Sequence, residues 1–314
     1  MSQAIYRNQL PLKNGQDFIT DAGMETELIF HDHYDLPEFA SFPLLENDKG
    51  RVDMAAYFKH YVDIAKQQNA GLVLETPTWR ASAEWGDKLN YNTVALESIN
   101  QKAVEFLEQL RTSANLEKSC VISGCIGPRY DGYNPEHYMT ADEAENYHRV
   151  QIQTLSNTAA DLVSAFTITS ISEALGITRV AKALNMPVVI SFTTETDGNL
   201  PSGESLQQAI ETIDKETYAY PFYYMINCAH PTHFQSVLKQ DSMWLKRIGG
   251  LRANASCKSH AELDDCTELD SGNPKELGQQ YKALKSRLTN LHVIGGCCGT
   301  NHQHVAEMAQ ACFG

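Results

Sequence analysis

Hydrophobic positions along the chain gather in short β-branched runs that end in Gly, Pro, Thr or Asn. Each run is followed by a longer stretch with apolar residues at helical spacing. Runs of the first kind read as strands, and stretches of the second kind read as amphipathic helices. The pattern predicts strands over 18–22, 71–75, 120–124, 162–166, 188–192, 223–227, 249–253 and 292–295. It predicts helices over 54–69, 93–113, 141–159, 172–184, 205–218 and 274–288, with room for a last helix after residue 301. Start signals support these helices: Thr140 precedes Glu143 as a capping box, and Asn273 precedes Pro274 at a first helical position. No Pro- or Ser-rich linker and no short repeat interrupts the alternation. Eight β-α alternations predict an α/β fold, a single (β/α)8 barrel domain over 1–314. The alternative, a doubly wound open sheet, usually carries a Gly-rich phosphate loop after its first strand. Here that place reads Asp21-Ala22-Gly23-Met24-Glu25-Thr26, which also disfavours a Rossmann-type site for a nucleotide or S-adenosylmethionine.

Composition narrows the function classes. The 314 residues are 42% hydrophobic and 20% charged, enough to bury a large core and to disfavour disorder. A formal charge of −14 argues against a general nucleic-acid binder and against docking on anionic lipid. No apolar run approaches the roughly 20 residues that span a bilayer. Residues 1–15 lack the cationic-then-apolar pattern of a secretory signal, so a cytoplasmic location is expected. In a cytosolic chain of this size, clustered cysteines point to metal binding or thiol chemistry rather than to disulfide staples.

Barrel chemistry gathers at the C-terminal ends of the strands. Two cysteine motifs fall there. Gly295-Gly296-Cys297-Cys298-Gly299-Thr300 ends the eighth strand, and Asn227-Cys228-Ala229-His230-Pro231 ends the sixth. Flanking glycines let the backbone turn so that both adjacent sulfurs face one point. Cys228, Cys297 and Cys298 make three sulfur ligands with one position open, the pattern of a catalytic Zn²⁺. A closed structural site is the alternative, with Cys125 or His230 as fourth ligand. Cys120, Cys257, Cys266 and Cys312 read as inert thiols, and His148 as a packing or surface histidine on a helix.

These motifs resemble the zinc signature of the homocysteine S-methyltransferase family. Four further segments support the resemblance: Asp21-Ala22-Gly23-Met24-Glu25-Thr26-Glu27-Leu28 is similar to the family's opening motif, Thr76-Pro77-Thr78-Trp79-Arg80-Ala81-Ser82 to its strand-two segment, Gly124-Cys125-Ile126-Gly127-Pro128 to its Gly-Ser-Ile-Gly-Pro, and Ser191-Phe192-Thr193 to its strand-five motif. The resemblance implies a (β/α)8 barrel, Zn²⁺ on Cys228, Cys297 and Cys298, a thiol acceptor and a small cationic methyl donor. It implies S-methylmethionine as the favoured donor and S-adenosylmethionine second; a betaine-type member carries a longer C-terminal arm than residues 301–314 provide. No residue is needed as general base, because the metal activates the acceptor thiol.

The chain departs from the family at three places. Phe166 stands where a Glu usually holds the amino group of homocysteine, Ala22 replaces one opening glycine, and Pro77 and Arg80 stand where Asn and Gln are common. Either another carboxylate, such as Glu195 or Glu25, replaces that Glu, or the acceptor is a thiol or selenol without homocysteine's amino group in that place; the expectation is weak homocysteine use with a preferred acceptor that differs at the amino end. The expected substrate contacts are Asp21, Ala22, Gly23, Glu25, Thr76, Arg80, Phe166, Glu195 and Asn227. Glu75 joins the acidic residues that would balance a cationic donor, Trp79 and Tyr130 are candidates for its aromatic wall, and Arg80 for a carboxylate partner. Two other readings stand beside methyl transfer: a zinc hydrolase or lyase with His230 beside the metal, and a thiol-binding barrel without turnover.

Overall fold

The computed structural model of the protein describes residues 3–116, 119–133, 135, 137–238, 242–266 and 268–314. Its eight strands are β1 (Phe18–Ile19), β2 (Gly71–Glu75), β3 (Cys120–Ile126), β4 (Leu162–Ile168), β5 (Val188–Phe192), β6 (Tyr224–Asn227), β7 (Ile248–Ala253) and β8 (Val293–Gly296). Every strand residue is buried, because one side fills the barrel and the other packs under helices; that is why the strands read as unbroken apolar runs. All pairings are parallel and follow chain order, and Phe18 pairs with both Gly71 and Val293 to close the barrel. Phe18, Val73, Val121, Leu162, Val189, Met225 and Val293 form an inner cluster with Leu10 and Leu12. A larger cluster on the other strand faces, including Leu72, Leu74, Ile122 and Ile190, joins the strands to the surrounding helices.

The six predicted helices are present as Asp48–Gln67, Thr93–Ser113, Ala141–Ser156, Ile171–Ala183, Leu206–Thr217 and Pro274–Lys285, and a last helix runs His302–Phe313. Thr140 makes the expected capping box with Glu143, and the Asn273 side chain caps the helix that opens with Pro274. The helix predicted from residue 54 starts at Asp48, because the Asn47 side chain accepts from the Gly50 N–H and caps it there. Short helices at Met24–Phe30, Ala83–Lys88, Pro231–Phe234 and His260–Asp264 were not predicted; each lies in a loop after a strand. Such pieces are too short to show a clear apolar period. No helix among the described residues is long and apolar enough to cross a membrane.

Two irregularities matter for the barrel mouth. The β4–β5 register shifts between Ala165 and Ile168. Thr167 in that bulge has φ 61°, and Cys228, just after β6, has φ 52°. A β-branched residue at positive φ is a genuine outlier, and such strain of order 1–3 kcal/mol clusters at functional sites.

Candidate metal centre and active site

The three predicted ligands meet. The sulfurs of Cys228, Cys297 and Cys298 all lie within 4.8 Å of one another. The turn carrying Cys297 and Cys298 is held by Thr300, whose hydroxyl donates to the Cys297 carbonyl at 2.6 Å. Gly299 has φ +76°, which L side chains rarely adopt, and a Cβ on Gly23 would come within 2.5 Å of the Cys297 carbonyl oxygen. These two glycines are therefore required by geometry. On the other side, Asn227 Oδ1 accepts from the Thr167 N–H at 2.9 Å and from Ser191 Oγ at 2.6 Å. Its Nδ2 donates to Thr167 Oγ1 at 2.9 Å and lies 3.9 Å from Cys297 Sγ. Asn227 thus holds the strained Thr167, whose hydroxyl points at Cys228 Sγ, 3.7 Å away. Tyr133 donates its hydroxyl to Cys298 Sγ at 3.4 Å.

Cys228 and Cys297 are joined as a disulfide, with 5.4 Å between their Cα atoms. The sulfurs of two expected metal ligands are thus close enough to pair with each other, as expected of a thiol cluster open to oxidants. A disulfide removes two of three metal-ligating thiolates, so oxidation and metal binding exclude each other. Peroxide treatment of metal-stripped protein should close Cys228–Cys297 and prevent metal from restoring activity until dithiothreitol reopens the pair. Peptide mass mapping checks this; oxidation confined to Cys120, Cys257, Cys266 or Cys312 would count against it.

The trio lies on the wall of a small, mostly apolar cavity at the barrel mouth. Of the predicted contacts, Asp21, Ala22, Gly23, Glu25, Thr76, Phe166 and Asn227 line it, as do Glu75 and Trp79. Met24, Phe39 and Arg252 line it too and were not singled out. Arg252 is the central charge. It bonds Asp21 Oδ1 at 2.7 Å, the Gly296 carbonyl at 2.9 Å and the Ala22 carbonyl at 2.9 Å. Its guanidinium also sits 4.9 Å from the centre of the Phe166 ring. Burial alone would weaken its hold on a proton, but Asp21 and Glu75 outweigh that and keep it above its ordinary value. Burial raises Glu75 to about 7, partly opposed by Arg252 and the neighbouring Ser123 and Ser164. Burial also raises Glu25, against the Ser41 hydroxyl that donates to its Oε1 at 2.7 Å.

Three expectations are corrected and a fourth is relocated. Arg80 lines not this cavity but the adjoining pocket that also holds Cys228 and Cys298, with its guanidinium stacked between Trp79 and Trp85, 4.0 and 3.5 Å from their rings. Glu195 lies outside, half-exposed, and faces His260 Nδ1 at 3.2 Å. Tyr130 lines an outer groove with Glu38, Trp85 and Lys88. Neither proposed fourth ligand joins the trio: the Cys125 thiol lines the cavity apart from it, and His230 caps the Pro231–Phe234 helix. His148 is a packing residue as expected, buried with Nε2 2.9 Å from Glu173.

Comparison with known proteins agrees with this architecture. A family model described as homocysteine S-methyltransferase matches residues 18–312. Homocysteine S-methyltransferase 1 of Brassica oleracea var. italica is 25% identical over 234 residues, 68% of this chain and 70% of the relative. The crystal structures of the Escherichia coli homocysteine methyltransferase MmuM share the fold. Its oxidised form superposes with a TM-score of 0.75 and its metallated form with 0.73, each at 17% identity over 97% of this chain and 99% of that one. The chain belongs to the homocysteine S-methyltransferase family, enzymes that carry a methyl group to the thiol of homocysteine, and is itself an S-methyltransferase.

Proposed function

We propose that the protein methylates homocysteine from a small sulfonium donor, S-methylmethionine ahead of S-adenosylmethionine, with Zn²⁺ held by Cys228, Cys297 and Cys298. The observation that carries this reading is the meeting of three thiols on the wall of a mostly apolar cavity. The donor set fits zinc: three soft sulfurs with no oxygen ligand among them, and a side open to the cavity. When bound there, zinc would keep an acceptor sulfur in its nucleophilic thiolate form at neutral pH.

The chain's own residues do the rest. Asn227 and Thr167 orient Cys228 and Cys297, and Tyr133 orients Cys298. Met24, Phe39, Trp79 and Phe166 form walls that exclude water and suit a methylated cation. In the transfer, the acceptor's sulfur–carbon bond forms as the donor's sulfur–methyl bond breaks, and the electron pair leaves with the donor sulfur. The leaving thioether is neutral, so no protein acid is needed. S-methylmethionine is favoured because the cavity suits a small sulfonium. S-adenosylmethionine ranks second because Asp21-Ala22-Gly23-Met24-Glu25-Thr26 is no phosphate or nucleotide loop.

A screen of methyl donors against homocysteine, with zinc quantified per chain, tests the reading. Methionine formed from S-methylmethionine by zinc-loaded protein supports it; product from S-adenosylmethionine alone, or full activity after metal removal, defeats it. Tyr133→Phe should lower kcat/KM by about 10- to 100-fold and loosen zinc, as expected when an outer partner of a metal ligand is lost. Zinc titration beside steady-state kinetics checks this.

A further inference from the structure

Glu75 ends β2 and faces the main cavity, yet it is only 5% exposed. Its Oε1 accepts from Ser164 Oγ at 3.2 Å, and Ser164 in turn lies 2.8 Å from Ser123 Oγ. Its Oε2 is buried with no hydrogen-bond partner. Of the other charged groups on that wall, Asp21 and Arg252 are paired with each other, and Glu25 is bound through one oxygen and is less buried than Glu75. Asp21 holds Arg252 at 2.7 Å and the Tyr57 hydroxyl at 3.1 Å. Glu25 holds Ser41, and the remaining Arg252 bonds go to backbone carbonyls of the two loops beside the thiols. Among the described residues lining the cavity, Glu75 carries the one buried side-chain oxygen or nitrogen without a partner. A buried acceptor left unmade is expensive, most of all when it can carry charge. Ser164 fixes one oxygen and leaves the other unpaired on a residue of the cavity wall.

We propose that Glu75 is the specificity-determining residue for the acceptor, its Oε2 receiving the ammonium group of a thiol amino acid whose sulfur lies at the cysteine trio. The inference rests on the acceptor reading above and adds the residue that selects an α-amino thiol over a simple thiol. A sulfonium centre has no N–H to give, so the donor's reactive end does not satisfy this oxygen. An adjoining pocket, lined by Arg80, Asp131 and Asp264 and sharing Trp79, Cys228 and Cys298 with the main cavity, gives the donor an approach to the thiols. Phe166, from the facing strand end, supplies an apolar wall and no acceptor. Because Glu75 meets the ammonium, the preferred acceptor need not differ from homocysteine at its amino end.

The test is equilibrium binding to zinc-loaded protein without donor, by calorimetry. The probes are homocysteine and 4-mercaptobutanoate, which differ only by the amino group. Wild type should prefer homocysteine by about tenfold or more, the worth of one hydrogen bond to a charged group. Glu75→Gln, which keeps the shape, and Glu75→Leu, which removes the acceptor, should both bring the ratio below about threefold, with wild-type zinc content and circular dichroism. Affinity for 4-mercaptobutanoate should hold or rise in Glu75→Leu. A ratio unchanged in either folded variant, or no preference in wild type, overturns the Glu75 assignment alone. Failure of wild type to bind either thiol overturns the acceptor reading itself, and the assignment with it.

Discussion

Replacing Cys228, Cys297 or Cys298 singly with serine should strip most of the zinc and lower methyl transfer by about 10³-fold or more. The size follows from the several kcal/mol that a divalent metal contributes to activating a bound nucleophile, at about tenfold per 1.4 kcal/mol. The three variants should differ under oxidation. Cys298→Ser keeps the Cys228–Cys297 pair and should still close the disulfide seen here; Cys228→Ser and Cys297→Ser should not. The barrel should stay folded in all three, because the strand interior and helix layer do not depend on the trio. Metal analysis, non-reducing mass mapping and thermal melts separate these effects. Near-full zinc in every variant would remove the metal assignment.

The barrel was legible because each strand is buried on both faces, so its apolar run has no polar interruption to confuse it. The thiol trio was legible because Gly-Gly-Cys-Cys-Gly-Thr puts two sulfurs at one strand end, and parallel β6 and β8 end at the same mouth. Side-chain direction past a strand end was not legible. Trp79 and Arg80 are neighbours in one loop, yet Trp79 lines the main cavity while Arg80 stacks between Trp79 and Trp85 and lines only the adjoining pocket. Glu195 lies three residues beyond β5, far enough along its loop to face His260 instead of the cavity. Arg252 had a signal that went unread: a lone cation in the otherwise apolar strand Ile248–Ala253 must find carboxylates inside the barrel. Tyr133 offered none, since its loop has no period and its contact with Cys298 spans 165 positions.

Arg252→Met should be the most destabilising single change at the mouth. Arg252 is 7% exposed and Asp21 4%, so the pair is buried and screened little by solvent. Removing one partner of such a pair costs roughly 3–5 kcal/mol, because the other charge is left without compensation. For a chain of this length that lowers Tm by roughly 6–15 °C. The two carbonyls that Arg252 ties, on Ala22 and Gly296, flank Gly23 and Cys297, so zinc affinity should fall as well. Adding Asp21→Asn should recover about 1 kcal/mol or more over Arg252→Met alone, the coupling expected of contacting charges. The deficit should also depend on pH. Glu75 is raised to about 7 in the folded protein, above its unfolded value near 4.5. Its contribution is therefore fully present below the unfolded value and is lost as pH rises through about 7. Arg252 favours the ionised form and limits that loss; without it Glu75 holds its proton more tightly, and ionising it costs more. Melts at about pH 5 and pH 8 should show a larger Arg252→Met deficit at the higher pH. An equal deficit at both would mean that Glu75 does not feel Arg252, and a Tm within about 2 °C of wild type would mean that the buried pair contributes no net stability.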